Sequence, residues 1–218
     1  MTKAIIFDLG GVIIDLGFDE MVKKFDQLGI KNFGDAFNPL RQIDFFEQLE
    51  LGSISSEEFY KKFRKNFLTD LSNDQIEATW NLIIKDFKIE RMLLLEKLAQ
   101  NHPLYLFSNT NAIHARYFEK NCLNQLGKPL SHYFHETFYS HELHLRKPEP
   151  AAFKEVLRRA KLQAEETLFI DDNHENILGA KSVGLQTYHL KFPEDLLDIN
   201  FKNIFSHEKS NIDNYQII

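Results

Sequence analysis

The chain has only one cysteine, Cys122, so no internal disulfide can form, and a reducing cytosol is the expected setting. Basic residues are also short: 26 lysines and arginines stand against 32 aspartates and glutamates, for a net charge of −6. A nucleic-acid surface needs clustered excess Lys and Arg, so nucleic acid is not an expected partner. No apolar run approaches the ~20 residues that span a bilayer, which removes the membrane as a partner. The N-terminus runs directly into an apolar strand, leaving no room for a signal peptide. Glycine (9) and proline (6) are few, as in an ordinary globular domain. The histidines show no ligand spacing: His141 and His144 lie close together without partners that complete a metal site. A length of 218 residues suits one large domain, or a core domain carrying a smaller insertion.

What the chain does have is phenylalanine, 20 in all. Many recur at helical spacing: Phe18, Met21, Val22 and Phe25; Phe45, Phe46 and Leu49; Phe59, Phe63 and Phe67. That period predicts helices whose aromatic faces pack on one another rather than on a cofactor. Ser55 with Glu58, and Ser72 with Gln75, fit the capping box that starts a helix. Leu51-Gly52-Ser53 reads as a turn between two of these helices. Between Asp15 and Leu104 no convincing strand is expected.

On either side of this stretch the pattern is strand then helix. Ala4–Phe7, Leu104–Phe107 and Leu168–Ile170 are short apolar runs of the kind buried on both faces of a parallel sheet, and Phe138–Ser140 and Thr187–Leu190 are weaker candidates. Helices are expected from Asn111 to about Cys122, from Pro150 to about Ala160, and from about Asn176 to Val183, closed by Gly184. The expected fold is α/β: a doubly wound, Rossmann-like parallel-sheet core of residues 1–14 and 93–218, interrupted by a helical domain of residues 15–92. The polar tail after Pro193 fits either a docked helix or a frayed end.

Three strands end in polar groups: Asp8, then Ser108-Asn109, then Asp171-Asp172, with Lys147 between the last two. In a parallel sheet these ends share one edge, where open α/β folds bind ligands. Gly10 and Gly11 after Asp8 allow a sharp turn and a close approach to a ligand. Clustered carboxylates call for a counter-charge, for which Mg²⁺ with oxygen ligands is suited. A hydroxyl, an amide and a lysine supply donors for a phosphate. An aspartate among them is placed to attack phosphorus. Taken singly, Ser108 reads equally as a helix cap, Asp172 as a capping residue, and Arg146 and Lys147 as solvated loop charges.

With these motifs in order, the chain resembles the haloacid dehalogenase-like hydrolase superfamily. Phe7-Asp8-Leu9-Gly10-Gly11-Val12 matches its first motif, Ser108 its second, Lys147 its third, and Asp171-Asp172, with Asn176 one helical turn on, its acidic fourth. The helical insert resembles that family's cap. The resemblance implies that Asp8 is the nucleophile. Ser108, Asn109 and Lys147 would hold the phosphate. Asp8, Asp171, Asp172 and the Gly10 carbonyl would hold Mg²⁺. A small-molecule phosphate ester is the implied substrate, a cytoplasmic monomer or dimer the implied form.

One departure stands out. Most phosphatases of this superfamily carry a second aspartate two positions after the nucleophile, as general acid and base; here that position is Gly10. A missing general acid matters least where the leaving oxygen is stable as an anion, because phosphoryl transfer depends mostly on positioning and charge neutralisation. Sugar-1-phosphates have such leaving groups. The branch with the Asp-Leu-Gly-x-Val-Ile-x-Asp start includes phosphatases of α-glucose-1-phosphate, and Asp15 belongs to that pattern with a turn or hinge role. Two other readings remain open here: a catalytically silent relative that binds a phosphorylated ligand, and C–halogen or C–P bond cleavage. Haloacid dehalogenases need no Mg²⁺, so the acidic pair speaks against the former chemistry. Phosphonatases need a cap lysine, for which Lys23, Lys24, Lys61 and Lys62 are available.

Overall fold

The computed structural model describes residues 2–38, 41–42 and 44–206 of the chain. Strand β1 (Ala4–Phe7) leads through a tight turn to β2 (Ile14–Leu16). A helical excursion follows, with α1 (Phe18–Gln27), α2 (Phe33–Ala36), the short strands β3 (Phe37–Asn38) and β4 (Arg41–Gln42), α3 (Asp44–Glu50), α4 (Ser56–Phe67) and α5 (Asn73–Trp80). It returns through β5 (Ile84–Phe87) to α6 (Ile89–Ala99). Then come β6 (Leu104–Ser108), α7 (Ala112–Leu126), β7 (Glu136–Tyr139), α8 (Ser140–Leu143) and α9 (Pro150–Ala160). The chain continues through β8 (Thr167–Asp171), α10 (His174–Ser182), β9 (Gln186–His189) and α11 (Phe201–Ser206).

Five strands form one parallel sheet in the order β7-β6-β1-β8-β9. Their unbroken apolar runs follow from burial on both faces. Because successive side chains alternate, Ile5, Phe7, Leu106 and Ile170 join Met92, Leu95 and Phe118 in one cluster. Ala4, Ile6, Phe107 and Phe169 join Phe153, Val156 and Ile177 in another. Helices thus cover both faces, as the alternation of strand and helix predicts. The strand order turns around at β1, flanked by β6 and β8, and the carboxyl ends of those three strands define the crevice where such sheets bind ligands.

The excursion has its own aromatic core. Phe25 stacks on Phe33 at 4.2 Å between centroids and Phe46 on Trp80 at 4.8 Å, with Phe59 and Phe63 beside them. Packing therefore accounts for these phenylalanines, as their helical spacing implied. Both capping boxes form, at Ser55/Glu58 and Ser72/Gln75. The stretch is not free of strands, however. β2 and β5, its entry and exit, pair antiparallel with one another, and β3 pairs with β4. Strands of two to four residues are too short to show an alternation in sequence.

At the far end, Leu196, Ile199 and Phe201 are buried in the sheet's first cluster. Up to residue 206 the tail is therefore docked; the expectation for 207–218 falls outside the described residues. Among the described residues no helix is long and apolar enough to cross a membrane.

Candidate active site

Each polar group at the sheet edge is held by its local structure. Asp8 follows β1 directly, and its N–H donates to the Ile170 carbonyl at 2.9 Å. After it the chain folds back tightly: Ile13 and Ile14 donate to the Leu9 carbonyl, and Gly11 donates to Ile14. Gly11 sits at φ +74°, and a Cβ there would collide with Asp172 Oδ2. The close approach expected of this glycine is thus to the second acid of the fourth motif.

The loop after β6 is pinned from two sides. Ser140 accepts from the Thr110 N–H at 2.9 Å and donates to its carbonyl at 2.8 Å. Asn111 caps α7, accepting from the Ile113 and His114 N–H groups. Asn109 uses both ends of its side-chain amide on the backbone of Lys147: Nδ2 donates to the carbonyl at 2.8 Å and Oδ1 accepts from the N–H at 2.9 Å. The expected role of this side chain was contact with phosphate; its observed hydrogen bonds go to the lysine loop.

That clamp places Lys147, 1% exposed, with its Nζ 2.7 Å from Asp8 Oδ1 and 2.8 Å from Asp171 Oδ2. The ammonium also donates to the Phe107 carbonyl at 3.0 Å. Burial alone would lower its pKa, but Asp171 and Asp8 outweigh it and raise the pKa, so the lysine is charged. Asp171 accepts from Lys147, from the Asn173 N–H and, at both oxygens, from Asn176 Nδ2. Both lone pairs of each of its oxygens are therefore engaged. Asp172, beside it, opens toward the cavity, its backbone carbonyl held by His189 Nε2 at 2.9 Å.

Asp8, Asp171 and Asp172 each offer a carboxylate oxygen within 4.8 Å of the others. Burial is the main force raising Asp8 to about 7; Lys147 opposes it and the two other acids reinforce it. Asp172 is raised to about 6 by burial and by Asp171. Three carboxylates faced by one ammonium leave negative charge uncompensated, and the donors are all hard oxygens, so the set fits Mg²⁺. With Asp171 already saturated by hydrogen bonds, the oxygens best placed for delivery are those of Asp8 and Asp172.

A cavity of about 360 Å³ opens onto this cluster. Its floor is Asp8, Gly10, Ser108, Asn109, Lys147 and Asp172; its roof comes from the excursion, with Phe18, Phe37, Glu50, Trp80 and Ile83. His114 also lines it, its ring tilted against Trp80 at 5.3 Å between centroids, and burial pushes its imidazole down to about 3, so it is neutral. Sequence reasoning missed Ser140, Glu50, Trp80 and His114, and gave Arg146 a solvated role, although it too lines the cavity. Asp15 is elsewhere. It meets Arg91 at 2.9 Å and Lys88 at 2.7 Å on β2, the strand that enters the excursion. Burial raises its pKa, but hydrogen bonds from Lys88 and Arg91 prevail and lower it, which disqualifies it as a substitute acid. His141 and His144 lie off the cavity; His144 Nδ1 is 2.8 Å from the Leu51 carbonyl.

The chain is similar to several known proteins. A family model described as haloacid dehalogenase-like hydrolase matches residues 2–184. The D-ribitol-5-phosphate phosphatase of Bacteroides thetaiotaomicron is 29% identical over 188 residues, covering 86% of this chain and 91% of the relative. A glyceraldehyde 3-phosphate phosphatase of Methanothermobacter thermautotrophicus is 26% identical over 198 residues, covering 85% and 84%. Among solved structures, a family enzyme from B. thetaiotaomicron, an aspartate-to-alanine mutant in complex with magnesium and inorganic phosphate, superposes with a TM-score of 0.87. It is 33% identical and covers 94% of this chain and 99% of its own.

Proposed function

Because the chain belongs to the haloacid dehalogenase-like hydrolase family, we propose that it is a Mg²⁺-dependent phosphatase acting on a small phosphomonoester through a phospho-enzyme formed on Asp8. The observation that carries this reading is the buried Lys147 bridging Asp8 and Asp171 at the floor of a cavity roofed by the excursion. The named activities of the relatives and the magnesium and phosphate bound by the solved neighbour support it.

In this reading Asp8 attacks phosphorus along the line of the departing ester oxygen, and water later cleaves the acyl phosphate. Ser108 donates its hydroxyl to a phosphate oxygen. Lys147 favours the ionised form of Asp8 against the effect of burial, orients it and offsets charge on the transferring group. Asn109 acts on the phosphate through Lys147, by fixing its backbone. Asp8, Asp172 and the Gly10 carbonyl would hold Mg²⁺, with Asp171 at its side. The ion supplies neutralisation of the acid cluster and of the phosphate oxygens.

Residues 15–92 serve as a cap on a core of 1–14 and 93–218, hinged at the β2–β5 pair, and exclude water from the reaction. With Gly10 in place of an acid, the chemistry favours leaving groups stable as anions, and a phosphorylated sugar or polyol such as a hexose-1-phosphate is the substrate we infer. The test is hydrolysis of a chromogenic aryl phosphate. Turnover that requires Mg²⁺, stops with EDTA and is lost in Asp8→Asn is expected. Activity that survives EDTA or Asp8→Asn overturns the reading.

A further inference from the structure

The last strand of the sheet reaches the acid cluster from the side. Asp171 pairs with His189 at the end of β9, and the Leu190 N–H donates to the Asp171 carbonyl at 3.0 Å. Beyond that rung the chain leaves β8 for α10. The following carbonyl, that of Asp172, is held by a side chain: His189 Nε2 lies 2.9 Å from it. A carbonyl can only accept, so His189 Nε2 carries a proton. The ring has a second hold. His174, the first residue of α10, sets its imidazole against that of His189 at 5.4 Å between centroids. Asn173 between them caps α10, accepting from the Glu175 and Asn176 N–H groups. The two imidazoles thus join the start of α10 to the end of β9 around Asp172.

The two acids differ in how they are aimed. Asp171 is oriented through its own oxygens, by Lys147, the Asn173 N–H and Asn176. Among the described residues, the carboxylate of Asp172 receives only its own backbone N–H. Its direction therefore follows from the main chain that carries it and from Gly11, which leaves room for Oδ2. Fixing the Asp172 carbonyl fixes the rotation of that peptide unit, and with it the bond from which the carboxylate extends. The hydrogen bond from His189 acts on the carboxylate through the backbone, as groups behind a metal ligand do.

We propose that His189 is a positioning residue for Asp172, its Nε2–H holding the main chain so that the carboxylate meets Mg²⁺ already aimed. This role rests on the Mg²⁺-phosphatase reading and deepens it. Groups behind a metal ligand typically carry about 10–100-fold of metal affinity; one hydrogen bond from a partly exposed ring places His189 at the low end, about tenfold. Two variants separate positioning from packing. His189→Phe keeps the aromatic ring and its contact with His174 but has no N–H to give. His189→Gln loses the ring but restores an N–H at a similar reach. A titration with MgCl₂, followed by backbone amide NMR shifts without substrate, reads Kd on the folded protein and needs no turnover.

The expected result is a Kd about tenfold weaker in His189→Phe, with most of that loss recovered in His189→Gln. A packing role predicts the reverse grouping, with phenylalanine near wild type and glutamine impaired, and that result overturns the proposal. So does a tighter Kd in His189→Phe, which would mean that the ring acts on the ion by charge. Imidazole ¹⁵N shifts of the neutral ring give a second check: the Nε2–H tautomer is expected, and the Nδ1–H tautomer overturns the hydrogen bond. A wild type that binds no Mg²⁺ overturns the Mg²⁺ reading and this role together. A wild type that binds Mg²⁺, with both variants as expected, yet never cleaves aryl phosphate overturns the phosphatase reading alone.

Discussion

Asn109 offers a sharp test of how the site is assembled. Its amide gives two hydrogen bonds to the backbone of Lys147, at 2.8 and 2.9 Å, and makes no other side-chain bond among those described. At about 0.5–1.5 kcal/mol net per hydrogen bond, Asn109→Ala should cost about 1–3 kcal/mol of stability. Asn109→Asp keeps the acceptor for the Lys147 N–H but turns a carboxylate oxygen toward the Lys147 carbonyl. That variant should be as unstable as the alanine near neutral pH. It should recover toward wild type as the pH approaches the carboxyl's ordinary value near 4, where a protonated Asp donates as the amide did. Urea unfolding of wild type and both variants at two pH values measures this. Kinetically, a displaced Lys147 lowers kcat for every ester by a similar factor. Two outcomes refute the reasoning: an alanine variant as stable as wild type, or a loss confined to the KM of one ester, which would put the side chain on substrate.

Three further outcomes are expected. Gly11→Ala places a Cβ into Asp172 Oδ2 at φ +74°, whereas Gly29→Ala, at φ +93°, meets nothing within 4 Å. Gly29→Ala should therefore cost only the left-handed penalty of about 1–2 kcal/mol, while Gly11→Ala should cost more and weaken Mg²⁺ binding in calorimetry; equal effects would refute the contact. Arg91, buried, holds Asp195 at 2.6 Å and Asp15 at 2.9 Å, and its hydrogen bond lowers Asp195 to about 2. A depressed carboxyl stabilises the fold above its unfolded value near 4 and loses that contribution as the pH falls through about 2. Arg91→Met should thus cost about 3 kcal/mol at neutral pH, the low end for a broken buried pair because both acids reach solvent, and should flatten acid unfolding between pH 4 and 2. At Gly10 an added Cβ would lie 3.1 Å from Leu16 Cδ2, the end of a half-exposed, flexible side chain. Gly10→Asp should fold once Leu16 gives way, and a supplied acid should speed alkyl esters over aryl esters by about tenfold or more; an unchanged alkyl-to-aryl ratio counts against that account of the missing acid.

Which parts of the molecule are legible in sequence follows from how far each signal reaches along the chain. The sheet strands are apolar on both faces, so Ala4–Phe7, Leu104–Phe107 and Leu168–Ile170 stand out as uninterrupted runs, and the acids that end two of them are conspicuous. Capping boxes are equally local, four residues long. Adjacent signals can also mask one another. In Asp171-Asp172-Asn173 every residue is a good cap, and the one that accepts from the helix start is Asn173, so α10 begins at His174, ahead of the expected Asn176. What stays hidden is pairing between distant segments. Arg146 beside Lys147 looks like any loop charge until α3 brings Glu50 against it, and Asn109 looks like a phosphate ligand until the loop after α8 delivers the Lys147 backbone to its amide. Neither partner leaves a trace in the local pattern, because a hydrogen bond between loops imposes no period on the residues that make it. The candidate reacting groups are the legible part, since strand ends carry them; the residues that hold them in place are set by tertiary contact alone.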